Sequence, residues 1–239
     1  IIKEGTVVWA RPGAPVTLCT SHCSQEIIEA IVAAIAPACP ERAMAGWGKR
    51  FRIAIKGKDP RSGRPFIWHM FHARPGAGAS SGGDGWHGSG EWHSAGGLKF
   101  GSVEVAETRF PLFFERHEYR ENSGGDGQYV GGSGCNLLMH LETETDCVVN
   151  TAGEGTRHAG EGREGGSSGA THDYRVTAPD GTDRVLKTKE EGVPVRAGSI
   201  FNVRSGGGGG WGPPALRSPE EREEDERAGL PPIFTGGVF

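Results

Sequence analysis

Apolar residues recur at Ile27, Ile28, Ile31, Val32 and Ile35, spaced three and four apart as on one face of a helix. Thr20 and Ser21 offer hydroxyl caps before this run, Gln25 and Glu26 follow them, and Pro37 and Pro40 close it, so a helix is predicted over residues 20–36. Period-two alternation follows in Phe51, Ile53 and Ile55. The turn residues 58–63 and a second extended run, 65–71, complete a predicted hairpin. Residues 103–106 and 111–120 read as extended, and 136–141 as a mostly buried strand. A further hairpin is predicted where 174–176 and 184–186 flank Pro179, Asp180 and Gly181, and residues 193–203 give one more pair of short extended pieces. The stretch 218–227 is capped and charged, the signature of a solvated helix with almost no apolar face.

This patterning predicts an α+β fold with more strand than helix, long ordered glycine-rich loops and one main N-terminal helix. The core is expected where the 20–36 helix packs on the sheet. The chain is read as one unit, 1–239, with a candidate sub-boundary near 153–169.

Composition sharpens this picture in one respect. Of 239 residues 41 are glycine, far above the globular average, so much of the chain must lie outside regular elements. Residues 73–101 are rich in Gly, Ser and Ala but also carry Asp84, Trp86, His87, Glu91, Trp92 and His93. A flexible linker would not carry two tryptophans and two histidines, which favours an ordered loop packed against something, with a disordered lid as the alternative.

The formal charge of −4, with acids and bases mixed along the chain, points to neither nucleic acid nor a membrane surface as partner. Five cysteines are an odd number and too sparse for a secreted disulfide scaffold, which favours free thiols and a cytoplasmic location. The longest apolar run is too short to span a bilayer. The first residues read like the interior of a strand-turn unit, so the chain is expected to be a fragment or a processed piece.

Several arrangements of chemistry-bearing residues compete. His69, His72, Asp84, His87 and His93 are the right types for a metal site, but a strand at 66–71 would turn His69 and His72 to opposite faces, and no spacing fixes a coordination set. A structural or substrate-contacting histidine is the better reading. Cys19 and Cys23 lack a matching second pair, and only Cys23, near a helix start, has an argument for an activated thiol. The glycine runs lack the terminal Gly-Lys-Ser/Thr of a phosphate loop, and residues 206–210 do not open an amphipathic helix. Glycines here are better explained by tight backbone packing around a buried site or a subunit contact.

In order along the chain stand Ser24-Gln25, Gly82-Gly83-Asp84-Gly85, Glu104 and Glu107 before Phe110-Pro111, Ser123 to Tyr129 with Gly131-Gly132, and the glycine run from Ser205 to Gly212. This series resembles the hydantoinase B/oxoprolinase family over essentially the whole chain. The resemblance implies the B-type subunit of an ATP-dependent enzyme that opens hydantoins or 5-oxoproline. Its hydantoinase A-type partner would carry ATP and magnesium in a hetero-oligomer. Related subunits carboxylate ketones, and a non-catalytic interaction module is a third reading.

Family members are roughly twice this length, and the resemblance places their divalent-metal motifs in an N-terminal portion absent here, so no metal is assigned to this chain. Val130 and Pro213 stand where the family usually has Arg and Asp. The catalytic residues stay unknown. Asp84, His87, His93 and Asp126 are the candidates for contact with a small-molecule substrate or for a loop site.

Overall fold

The computed structural model describes residues 3–6, 9–14, 24–70, 72–92 and 99–230. Among the described residues three α-helices, α1 (Ser24–Ile35), α2 (Val103–Arg109) and α3 (Pro219–Arg227), accompany nine strands. The strands are β1 (Ile53–Lys58), β2 (Pro65–His69), β3 (Leu112–Tyr119), β4 (Cys135–Leu141), β5 (Cys147–Ala152), β6 (Asp173–Thr177), β7 (Asp183–Val185), β8 (Lys189–Val195) and β9 (Ile200–Arg204). No helix among the described residues is long and apolar enough to cross a membrane.

The strands form two antiparallel sheets, ordered β2-β1-β5-β8 and β3-β4-β9-β6-β7. Alternation explains how each sheet buries one face. In β4, Leu137, Met139 and Leu141 are buried while Asn136, Leu138 and His140 lie half-buried opposite them. Ile53 and Ile55 of β1, Trp68 of β2, Val149 of β5, and Phe201 and Val203 of β9 join them, so one apolar core draws on both sheets. Both predicted hairpins are present as β1-β2 and β6-β7.

Two expectations are corrected. Residues 103–109 are helical, not extended: the Ser102 hydroxyl caps α2 by accepting from the Val105 N–H at 3.2 Å, and this local bond outweighs the β-branched pair Val103 and Val105. The second correction concerns α1, which is not the lid of the core. Ile27, Ile31 and Ile35, the heart of its apolar stripe, are 42%, 52% and 53% exposed, and the buried residue of the helix is Gln25, whose amide donates to the Gly48 carbonyl. A periodic apolar face shows that a helix has something to cover, without saying that the covering element lies within these residues.

Between the sheets and the C-terminal helix, glycine-rich segments run side by side, joined by backbone hydrogen bonds. The Gly206–Gly210 run lies at their centre. Gly76 donates to the Gly206 carbonyl at 3.0 Å, Gly208 to Gly132 at 2.9 Å, Gly209 to Gly46 at 2.8 Å and Gly125 to Gly208 at 2.8 Å. A Cβ on Gly76 would stand 1.8 Å from the Gly132 oxygen, and one on Gly208 1.8 Å from the Ala77 oxygen. Neither residue has the positive φ that normally demands glycine. What requires glycine here is lateral closeness of one backbone to the next, the tight packing anticipated from the sequence.

Candidate functional site

The 82–85 turn projects from this glycine layer toward the C-terminal segment. Asp84 accepts from the Val130 N–H at 2.7 Å and takes both terminal nitrogens of Arg217, at 2.9 and 3.0 Å. Arg217 is 5% exposed, and its guanidinium also reaches both oxygens of Asp225 at 2.8 and 2.9 Å. Arginine's planar fork suits two carboxylates at once. Burial works against its charge, yet the hydrogen bonds it donates to Asp84 and Asp225 hold its pKa above the usual value. The expected departure at Val130 leaves this contact intact, because it is the backbone that is used.

Asp225 is delivered by α3, whose start is fixed as the sequence predicts. Ser218 and Glu221 form a reciprocal capping box behind Pro219. The same helix supplies Arg222, 4.0 Å from the Asp126 carboxylate. Asp126 is buried, its backbone N–H donating to the Ser167 hydroxyl at 2.7 Å and its carboxylate accepting from the Gly127 N–H at 2.9 Å. The two Gly-Gly-Asp-Gly turns thus both point their acids at arginines from the C-terminal segment.

His87 lines the same cleft as Asp84, Val130, Arg217 and Asp225, a space of about 350 Å³. Its Nδ1 accepts from the Ser133 N–H at 2.9 Å, and burial lowers its pKa, so the ring is neutral near pH 7 with Nε2 carrying the proton. His93 lies outside the described residues, as do Cys19 and Cys23. The structure therefore brings Asp84 and His87 to one cleft, sets Asp126 on the neighbouring turn, and employs all three in holding loops together.

Other titratable groups serve the core. His69 ends β2 and is exposed, whereas His72 lies beyond the strand and is buried, so strand alternation does not relate the two; the His72 ring lies against Trp68 and Phe114, and burial lowers its pKa. His172 joins two glycine-layer segments, with Nδ1 accepting from the Gly206 N–H at 2.5 Å and Nε2 donating to the Lys49 carbonyl at 2.6 Å. Complete burial pulls its pKa down to about 4. Burial likewise pushes the Cys135 thiol up to about 11, which makes it inert rather than nucleophilic. Among the described residues no three His, Cys, Asp or Glu side chains are grouped to hold a metal ion.

Asp84 also borders a second cleft, of about 410 Å³, on the other side of its turn. Met44, Trp47, Trp86 and Trp92 supply its apolar wall, and Ala77, Ser80 and the glycines 78, 82, 83 and 85 also border it. The Trp47 and Trp92 rings stack with centroids 6.0 Å apart and planes within 5°. Sequence reasoning singled out Trp86 and Trp92 but not Trp47 or Arg217. A tryptophan enclosed by glycines, Gly46-Trp47-Gly48, was the available signal for the first; nothing local distinguishes Arg217 from the other arginines. A larger cavity of about 660 Å³, bordered by Glu154, Arg157, His158, Lys187 and Lys189, lies apart from both clefts.

A two-sheet body with a glycine-packed layer and an arginine-latched turn forms a scaffold with clefts on either side of Asp84. This chain belongs to the hydantoinase B/oxoprolinase family, whose profile matches residues 1–214. It is 31% identical over 240 residues to caprolactamase subunit beta of Pseudomonas jessenii, covering 95% of this chain and 40% of that relative. The crystal structure of the ATP-dependent caprolactamase from that organism superposes with a TM-score of 0.74 at 26% identity, covering 94% of this chain and 39% of the matched one. Nucleotide-free acetone carboxylase shares the fold, with a TM-score of 0.67 at 20% identity over 80% of this chain and 29% of that one. The chain thus spans about two fifths of the length of the caprolactamase subunit it matches.

Proposed function

We propose that this chain is part of the B-type subunit of an ATP-dependent enzyme that hydrolyses cyclic amides of the hydantoin or 5-oxoproline kind. The observation that carries the reading is the 31% identity to caprolactamase subunit beta across 95% of the chain. In this proposal an A-type partner holds ATP and magnesium, a divalent metal sits in a preceding portion of the B-type polypeptide, and the assembly is a cytoplasmic hetero-oligomer. Phosphorylation by ATP would turn the amide oxygen into a better leaving group, and this chain's part is to supply rigid walls around the reacting amide. The exposed Ile27, Ile31 and Ile35 stripe supports a subunit role, since an apolar face of this kind commonly meets another surface.

Ketone carboxylation is the second reading, favoured by the shared fold with acetone carboxylase. A non-catalytic interaction module is the third, and it draws on the structural bonds of Asp84, His87 and Asp126. The test is ATP hydrolysis by this chain mixed with an A-type subunit and a preceding B-type portion. Stimulation by hydantoin or 5-oxoproline supports the hydrolase, and dependence on bicarbonate plus ketone supports the carboxylase. Association without any stimulated turnover supports the module.

A further inference from the structure

We infer that the cavity bordered by Arg157 and Lys187 binds a small molecule bearing a phosphate group. The inference is independent of the cyclic-amide reading. The cavity, of about 660 Å³, lies where the chain crosses from β7 of the five-stranded sheet to β8 of the four-stranded one. Residues 153–158, which follow β5, and the start of β6 close its other sides.

Charge selects the ligand. The chain as a whole carries a formal charge of −4, yet Arg157, Lys187 and Lys189 all border this one space. Two carboxylates border it as well, and each already has a cation. Glu154 pairs with Lys189 at 3.4 Å, and Asp173 pairs with Arg204. The side chains of Arg157 and Lys187 are exposed, and among the described residues no hydrogen bond or ion pair engages either. They leave a local excess of positive charge in an acidic chain. A phosphate monoester carries about −1.5 to −2 at pH 7, and guanidinium and ammonium groups are its ordinary partners.

The main chain adds donors. The N–H groups of Gly155, Thr156, Arg157 and His158 donate to no acceptor among the described residues. A run of successive backbone amides without internal acceptors is the kind of donor set that phosphate sites draw on.

The walls are preformed, because each bordering segment is bonded to the other two. The Gly153 N–H donates to the Thr188 carbonyl at 2.8 Å, His172 to Gly155 at 2.7 Å and Leu186 to Tyr174 at 2.8 Å. The Thr151 hydroxyl donates to the Lys187 carbonyl at 2.7 Å and accepts from the Glu190 N–H at 2.9 Å, which fixes the backbone that carries Lys187. A space of about 660 Å³ exceeds what a bare ion fills and suits a small organic molecule. Val185, 59% exposed, lends apolar surface beside the cations for the organic part.

The test titrates the full 239-residue chain with glycerol 3-phosphate by calorimetry, with glycerol as the neutral control and succinate as the dicarboxylate control. Saturable binding of glycerol 3-phosphate is expected, with none of glycerol and weaker binding of succinate. Arg157→Gln and Lys187→Gln change exposed residues, and each should weaken glycerol 3-phosphate about tenfold, the size of one charge-assisted hydrogen bond. Lys56→Gln removes the same charge from an exposed position on β1 that does not border the cavity, and should leave the affinity unchanged. A ¹⁵N titration of the wild type gives a readout that needs no variant: the amides of 155–158 and 187–189 should shift. No saturable binding, shifts confined to other residues, or unchanged affinity in both cavity variants overturns the site. Equal weakening by Lys56→Gln reduces it to diffuse charge, and succinate binding as tightly as glycerol 3-phosphate overturns the phosphate assignment.

Discussion

Asp84 and Arg217 meet across 133 positions of sequence in a two-point contact, Nη1 to Oδ1 at 2.9 Å and Nη2 to Oδ2 at 3.0 Å. The pair ties the turn between the two clefts to the segment leading into α3. Replacing Asp84 by Asn leaves Arg217, 3% exposed at its side chain, with Asp225 as its remaining carboxylate. A loss of about 2 kcal/mol is expected, the scale of a charge-assisted hydrogen bond. Urea denaturation should show a lower midpoint with an unchanged slope.

Glycine positions in the packed layer should divide sharply. Gly208→Ala would place a Cβ 1.8 Å from the Ala77 oxygen and Gly76→Ala one 1.8 Å from the Gly132 oxygen, and both obstacles are backbone atoms that cannot rotate away. Each should cost more than about 3 kcal/mol or prevent folding altogether. Gly82→Ala meets nothing nearer than the Ser80 hydroxyl at 3.7 Å and should change stability by less than about 0.5 kcal/mol. Thermal melts of the three variants decide the matter.

Acid should destabilise the chain through His172. Its folded pKa of about 4 lies below the ordinary 6.5, so the unfolded state takes up the proton first as pH falls. Stability is therefore complete above pH 6.5, declines between 6.5 and about 4, and is not lowered further by this group below that. The lost bond is identifiable: protonation of Nδ1 removes the acceptor for the Gly206 N–H. The drop should be on the order of 3 kcal/mol. In His172→Asn the urea midpoint should be lower at pH 7 and fall less steeply toward pH 4, the residual slope coming from His72 and His87, whose pKa values burial also lowers.

Ile31 and Ile55 offer a control on where the core sits. Ile31 is 52% exposed on α1 and Ile55 fully buried on β1. Ile31→Glu should leave the melting temperature nearly unchanged, whereas Ile55→Ala should cost about 3 kcal/mol. If the subunit reading holds, Ile31→Glu should weaken association in a pull-down with the remaining subunits.

Elements governed by neighbouring residues were legible in the sequence. Hairpins β1-β2 and β6-β7, strand β4 and the capped helix α3 all follow from alternation, turn chemistry or a local cap. The α2 helix was misread because one serine hydroxyl decides it against two β-branched residues. Strand β5 was missed. Its Cys147 and Val149 face the core, but the intervening Val148 is also apolar and 40% exposed, which blurs the alternation. The candidate site was legible only as a set of residues. Its arrangement depends on partners such as Asp84 with Arg217 and Gly76 with Gly206, whose separation no local pattern encodes.

The glycine layer has a consequence for how the molecule assembles. Gly46, Gly76 and Gly132 come from widely separated stretches, and their hydrogen bonds with Gly209, Gly206 and Gly208 reward the chain only after long loops have closed. Glycine also forfeits more conformational freedom on ordering than any other residue. The layer should therefore form late and slowly, after the sheets have collapsed. In a refolding time course, burial of Trp68 between the sheets should precede burial of Trp47, so the clefts beside Asp84 would be the last part of the molecule to mature.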